Sequence, residues 1–208
     1  MKQNMTEKDI KSSRSRVVLD TSILTNPESR QYFGEDLPSA IKKICFLVQE
    51  CGFELYIPSS VFKELSNFVP AKELTGLRIL AVVRNPDLYN LQVPAAIFHA
   101  FIHKLRQRVN KGLQVAEKAI ERDNLPENIR WVRQHYREAL RSGILDSTED
   151  LEVVLMAREV QGLVLTEDQG ICSMASDLGL EVFNALDFVH YCQGVMKEDD
   201  FARPGSRN

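Results

Sequence analysis

Two short apolar runs in this chain each end at an acid. Val17-Val18-Leu19 leads into Asp20-Thr21-Ser22, and Leu163-Val164-Leu165 leads into Thr166-Glu167-Asp168. A continuous apolar run without polar alternation suits a strand buried on both faces of a parallel sheet. In an open parallel sheet, ligands collect outside the carboxyl ends of the strands. Asp20 and Asp168 are therefore expected at one edge of an α/β sheet.

The neighbouring segments continue the alternation of strand and helix. Asn26-Pro27 marks a turn. From Pro38 to Gln49 the apolar residues Ile41, Ile44, Cys45 and Val48 recur at helical spacing, and Gly52 ends that helix. Phe53 to Ile57 reads as a second strand. Ser59 or Ser60 then caps a helix carrying Val61, Phe62, Glu64, Leu65 and Phe68. Past residue 141 the pattern resumes with a helix from about Asp150 to Val160, capped by Gly162. The strand 163–165 follows, then a helix from Cys172 to Leu178 closed by Gly179, and a last strand from Leu180 to Phe183.

Residues 72–141 carry little strand signal. Pro86, Pro94 and Pro126 divide them, and His99–Leu125 and Pro126–Arg141 read as two long charged helices, with Gly112 a weak point in the first. The expected organisation is a discontinuous α/β domain of residues 16–71 and 142–195, its parallel sheet flanked by helices. A projecting helical hairpin is inserted at 72–141. Residues 1–15 read as a disordered extension and 196–208 as a flexible tail.

Composition narrows the function classes. No apolar run approaches the roughly 20 residues that span a bilayer, and Met1–Arg16 has no apolar signal core, so a cytoplasmic location is expected. Cys45, Cys51, Cys172 and Cys192 form no Cys-x-x-Cys pair and are expected as reduced thiols. His99 and His103 stand four apart with no third ligand nearby, so a zinc site is not expected. There is no phosphate-binding glycine loop and no Ser-His or Cys-His pairing. The net charge of −3 means that binding to nucleic acid would require locally concentrated positive charge.

That concentration exists. From Lys104 to Arg141 ten basic residues face five acids. Arg130, Arg133, Arg137 and Arg141 follow i, i+3, i+7 and i+11, which is one helix face. Arginine dominates, which suits RNA phosphates recognised by shape. These four, with Lys104, Arg106, Arg108 and Lys111, are the candidate RNA-binding residues. The alternative is a solvated face paired with Glu127 and Glu138. Trp131 and Tyr136 are expected in helix packing or oligomer contacts.

Asp146 and Asp150 are four apart at a helix start, a spacing that shares one face. Together with Asp20 and Asp168 they make a set of four carboxylates. Such a set raises its own pKa values unless a cation neutralises it. Oxygen-only ligands favour Mg²⁺, with Mn²⁺ an alternative, and the matching chemistry is metal-assisted phosphodiester hydrolysis. Each acid also has a structural reading. Asp20 and Asp168 could be turn acids, Glu64 a solvated helix acid, and Asp150 a residue favoured by the helix dipole. Asp146 could be an N-cap with Glu149 completing an Asp-x-x-Glu capping box. The functional reading rests on joint placement, and Asp146 is the member whose capping role would account for it.

These residues resemble a PIN domain: Val-Val-Leu-Asp20-Thr21-Ser22, Pro58-Ser-Ser-Val-Phe-Lys-Glu64-Leu, Asp146 with Asp150, and Leu-Thr166-Glu-Asp168. From Arg16 to about Gln193 the chain is similar to the minimal protein-only ribonuclease P family, the homologues of Aquifex RNase P. Leu-Asp-Thr-Ser-Ile-Leu-Thr-Asn-Pro at 19–27 and Gly-Ile-Leu-Asp-Ser-Thr-Glu-Asp-Leu-Glu-Val at 143–153 carry that similarity. The resemblance implies a metal-dependent endoribonuclease that removes the 5′ leader of precursor tRNA without an RNA subunit and leaves a 5′-phosphate. It implies a homo-oligomer built from dimers. It gives catalytic and metal-binding roles to Asp20, Asp146, Asp150 and Asp168, with Glu64 and Glu149 as further candidate ligands. Two other readings stay open. One is a toxin-type PIN ribonuclease acting on other RNA, against which the long insertion counts. The other is a non-catalytic RNA-binding partner protein, against which the intact acids count.

Overall fold

The sheet has five strands, β1 (Arg16–Leu19), β2 (Glu54–Pro58), β3 (Val82–Arg84), β4 (Leu163–Leu165) and β5 (Val182–Phe183). All neighbours are parallel, in the order β3-β2-β1-β4-β5. The computed structural model describes residues 16–120, 126–141 and 147–202. The two central strands are the apolar runs of the sequence. Val17, Val18, Leu19, Leu163, Val164 and Leu165 are each at most 1% exposed, which is the two-sided burial that a continuous apolar strand requires.

Helices follow each strand. β1 leads into α1 (Ser22–Thr25), α2 (Pro27–Arg30) and α3 (Leu37–Glu50); β2 into α4 (Ser59–Leu65) and α5 (Thr75–Leu80). On the other side of β1, α8 (Thr148–Val160) precedes β4, α9 (Gln169–Asp177) joins β4 to β5, and α10 (Ala185–Ala202) ends the described chain. The helices α6 (Ala95–Ile120) and α7 (Pro126–Arg141) lie between β3 and α8 in sequence. Phe188 of α10 is fully buried and its ring stands 5.8 Å from Phe53 and 6.5 Å from Phe33. This aromatic cluster anchors α10 in the core.

From β1 the chain moves outward to β2 and β3, then returns to place β4 on the opposite side of β1. The reversal makes the β1/β4 boundary the switch point, and the crevice there is the expected ligand site of a doubly wound sheet.

The chain divides into two compact units, Met1–Leu91 with Ser147–Asn208, and Gln92–Asp146. The expected boundary at residue 72 is therefore corrected. Residues 75–84 form α5 and the edge strand β3, which pairs Tyr56↔Val82 and Ile57↔Val83. An edge strand of three residues is too short to show periodicity. The tail expected from residue 196 is helical as far as Ala202. The expected extension at 1–15 lies outside the described residues.

In the second unit α6 and α7 pack on each other. Gly112 is buried, and a Cβ there would stand 2.8 Å from the Tyr136 ring. It serves as a point of close helix approach, whereas the sequence suggested a weak point. Trp131 stacks on His135 at 4.1 Å.

The α8–β4 turn also differs from expectation. The left-handed residue is Gln161, with φ 54°, and not Gly162. Glycine is required at 162 for a different reason. A Cβ there would stand 2.8 Å from the Arg16 carbonyl oxygen, so only glycine lets this turn close on β1. Among the described residues no helix is long and apolar enough to cross a membrane. None of the four cysteines is in a disulfide among the described residues; Cys192 is buried and the others half-buried.

Candidate active site

Asp20 follows β1 directly, and its N–H donates to the Leu165 carbonyl oxygen (3.1 Å). The ladder between the two central strands thus sets its position. Asp20 is 5% exposed, and its carboxylate would be costly to bury without partners. Thr166 Oγ1 donates to Asp20 Oδ2 (2.7 Å), as do Ser22 Oγ and the Ser22 N–H. Among the described residues every hydrogen bond to this carboxylate falls on Oδ2, which leaves Oδ1 for the cleft.

Thr166 and Ser22 also hold the second acid. Thr166 Oγ1 accepts from the Asp168 N–H (3.0 Å), and Ser22 Oγ accepts from the Glu167 N–H (2.9 Å). Asp168 is the N-cap of α9, its Oδ1 accepting from the Ile171 N–H (2.9 Å). A single buried threonine therefore ties Asp20 to Asp168 across the switch point. In the sequence Thr166 and Ser22 belong to the motif without a role of their own. Their signal was a hydroxyl two residues from each strand-end acid.

The third acid arrives on α8. Ser147 caps this helix, its Oγ accepting from the Asp150 N–H (3.1 Å) while Asp150 Oδ2 accepts from the Ser147 N–H (3.1 Å). The capping box is thus Ser147 with Asp150, one residue later than the Asp146–Glu149 pair suggested by the sequence. Ser147 is extended, at φ −141° and ψ 165°, so the helix starts after it. Asp146 itself lies outside the described residues.

Asp20, Asp150, Asp168, Glu64 and Glu149 line one cleft of about 610 Å³, with Thr21, Ser22, Ser60, Lys63, Asn67 and Ser147. Glu64 reaches it from α4 and accepts from Thr21 Oγ1 (2.9 Å). Ser60 donates to Glu152, which ties α4 to α8. The acids also act on one another through their charges. Burial pushes the Asp150 carboxyl above its ordinary range, and the charges of Asp168 and Asp20 push it further, against the Ser147 hydrogen bonds. Burial also raises the Cys172 thiol, followed by Asp168, Glu167 and Asp20. Glu149 is exposed, and its own backbone N–H and the Ser147 hydroxyl hold its pKa low.

Among the described residues no group of three or more His, Cys, Asp or Glu is gathered tightly enough to hold a metal ion. The acids line the cleft without converging on one point. The donor set nevertheless suits a hard divalent cation: all carboxylates, one with its ionised form disfavoured by burial and by like charge.

The candidate RNA-binding residues lie in the second unit. Arg130, Arg133 and Arg137 are exposed on α7, and no ion pair joins them to an acid among the described residues. Glu138 accepts instead from Gln134 Nε2 (3.0 Å). Arg106 and Lys111 are exposed on α6; Arg108 is half-buried, its Nε shielded from solvent. The side chains of Lys104 and Arg141 lie outside the described residues.

The family described as PINc domain ribonuclease matches residues 16–197. An "RNA-free ribonuclease P" of Thermodesulfovibrio yellowstonii is 40% identical over 173 residues, 81% of this chain and 88% of the relative. The chain belongs to the RNA-free ribonuclease P family of PIN-domain ribonucleases. Similar proteins of the same name occur in Pyrococcus horikoshii, 36% identical over 83% of this chain and 89% of the relative, and in Pyrococcus abyssi, 36% identical over 88% and 94%. The protein is thus an endoribonuclease of ribonuclease P type.

In a ribonuclease built this way, Thr166 is a positioning residue. Thr166→Val keeps the shape but removes both hydrogen bonds at a fully buried position. It is expected to lower stability by about 1–3 kcal/mol and cleavage by about 10–100-fold. Thr166→Ser should restore most of the cleavage. A Val variant with unchanged turnover would show that this link does not hold the acids in place.

Proposed function

We propose that this ribonuclease removes the 5′ leader of precursor tRNA by Mg²⁺-dependent hydrolysis, with no RNA subunit, leaving a 5′-phosphate on the mature end. The observation that carries the proposal is that Asp20, Asp150 and Asp168 line one cleft at the switch point, in a chain whose relatives are named RNA-free ribonuclease P. Asp20, Asp150 and Asp168 would hold the ion, with Asp146, Glu64 and Glu149 completing the oxygen set and Mn²⁺ able to substitute. A bound Mg²⁺ supplies a water of lowered pKa and offsets the negative charge that builds on the phosphoryl oxygens. The protein's own part is positional. Thr166 and Ser22 fix Asp20 through Oδ2, the helix cap fixes Asp168, and the Ser147 box fixes Asp150. Lys63 at the rim is a cation able to draw a phosphate toward the acids.

The exposed arginine row of α7 is proposed to bind the body of the tRNA through its phosphates, with Arg141, Lys104, Arg106 and Lys111 adding charge. Arg133→Glu with Arg137→Glu is expected to weaken tRNA binding by roughly tenfold or more. It should also flatten the dependence of log K on log salt by about 0.9 for each phosphate that is no longer neutralised. Unchanged affinity in filter binding would remove this face from the RNA surface.

We further propose a homo-oligomer built from dimers. Phe98, Ile102, Leu105, Val109 and Leu113 form an exposed apolar stripe along α6, of a kind that marks protein interfaces. Cysteines held outside any disulfide suit a reducing, cytoplasmic location. The decisive assay incubates the protein with a precursor tRNA, with Mg²⁺ or with chelator, and maps the ends. One Mg²⁺-dependent cut leaving the mature 5′-phosphate is expected. Cuts elsewhere would point to the toxin-type reading, and no cut to a binding protein.

A further inference from the structure

Beside the acidic cleft lies a second one, of about 570 Å³, lined by Ser59, Phe62, Lys63, Arg78, Ala81 and Val83. Lys63 borders both clefts. The second cleft belongs wholly to the α/β unit and is framed by α4 on one side and by α5 and β3 on the other. Its chemistry is the opposite of its neighbour's. It contains two cations and no acid, and neither Lys63 nor Arg78 is ion-paired among the described residues. Phe62 offers an aromatic side chain that is only half-buried.

A small cleft with an aromatic surface, two unpaired cations and no acid suits a nucleotide whose base is free to stack while its phosphates meet the cations. Its volume lies in the roughly 300–1,000 Å³ range of small-ligand pockets, which is far too narrow for an RNA duplex. We propose that this cleft holds the unpaired leader nucleotides immediately 5′ of the scissile phosphate. The inference rests on the precursor-tRNA reading above. In that substrate the nucleotides on the mature side of the cut are paired in a duplex, and those on the leader side are single-stranded. Only the leader can present a splayed base to Phe62. Lys63, shared between the clefts, stands where the strand would pass from one to the other.

The test compares two precursor tRNAs that differ only in the leader, a single nucleotide in one and several in the other. The wild-type protein is expected to favour the longer leader by roughly tenfold in kcat/KM, a size of effect typical of one stacked base. Arg78 is exposed and borders only the second cleft, so Arg78→Ala should fold normally. It is expected to bring the ratio between the two substrates close to one, mainly through KM. It should also reduce the salt slope for the longer substrate by about 0.7, the value for one single-strand phosphate. Phe62→Leu should lower the same ratio while leaving the salt slope as it is. A wild-type protein indifferent to leader length, or an Arg78→Ala variant with the full preference, would overturn the leader path alone. Failure to cleave either substrate would overturn the substrate reading and this inference with it.

Discussion

Asp150→Asn is expected to abolish cleavage, by roughly 10²–10³-fold or more, while leaving the protein folded. The substitution removes a charge and almost no volume. The asparagine carbonyl can still accept from the Ser147 N–H, and the backbone N–H of residue 150 still donates to Ser147 Oγ, so the cap of α8 survives. A second readout separates the charge from the fold. Asp150 has a pKa raised from 3.8 by burial and then by Asp168 and Asp20. A carboxyl whose folded pKa lies above its unfolded one contributes stability that is fully present below the unfolded pKa. That contribution is lost as pH rises through the folded value. Above the folded value and without divalent ions, the wild-type protein therefore carries a charge it would be more stable without. Asp150→Asn should raise Tm in chelator. Mg²⁺ should reverse the order, since an ion present at about a hundred times its Kd adds about 2.7 kcal/mol to a protein that binds it. Calorimetry with and without Mg²⁺, alongside cleavage of precursor tRNA, gives both results. Full cleavage by the variant, or a Mg²⁺-induced shift equal to that of wild type, would remove Asp150 from the site.

Gly162→Ala is expected to cost about 1–3 kcal/mol through overpacking, lowering Tm by several degrees in a chain of this size. The added methyl group would stand 2.8 Å from the Arg16 carbonyl oxygen, and backbone rather than a flexible side chain would have to move. The same contact closes the amino end of the β1/β4 pair, where Val17 is paired with Leu163. The acids lie at the opposite end of these strands. The folded fraction of the variant should therefore keep its specific activity. Gln161→Gly provides the control, because residue 161 is the left-handed one and glycine adopts that conformation without a Cβ clash. It should leave Tm unchanged or raise it. If Gly162→Ala were harmless and Gln161→Gly destabilising, the assignment of the two positions would be reversed.

The central sheet, and the edge on which its chemistry lies, follow from local residue patterns. Val17–Leu19 and Leu163–Leu165 have no polar alternation because both their faces are buried, and burial is a local requirement on every residue of the strand. From that follow a parallel sheet and the placement of Asp20 and Asp168 at one carboxyl edge. Resemblance, and not spacing, supplied the substrate class. Tertiary structure decided what local patterns leave degenerate. Asp146 and Ser147 are adjacent and both able to cap a helix, and the backbone selects Ser147, which moves the capping box onto Asp150. Gly162 reads as a cap, yet it is glycine because a strand 146 positions away in the chain passes too close for a Cβ. The strand β3 is visible only through its pairing with β2. The link that unites the site, Thr166 to Asp20, also spans 146 positions. A hydroxyl beside an acid carries no signal of that bond. The bond exists because the sheet sets two distant strands side by side, and the aspartate cleft with which the sequence began takes its shape from that pairing.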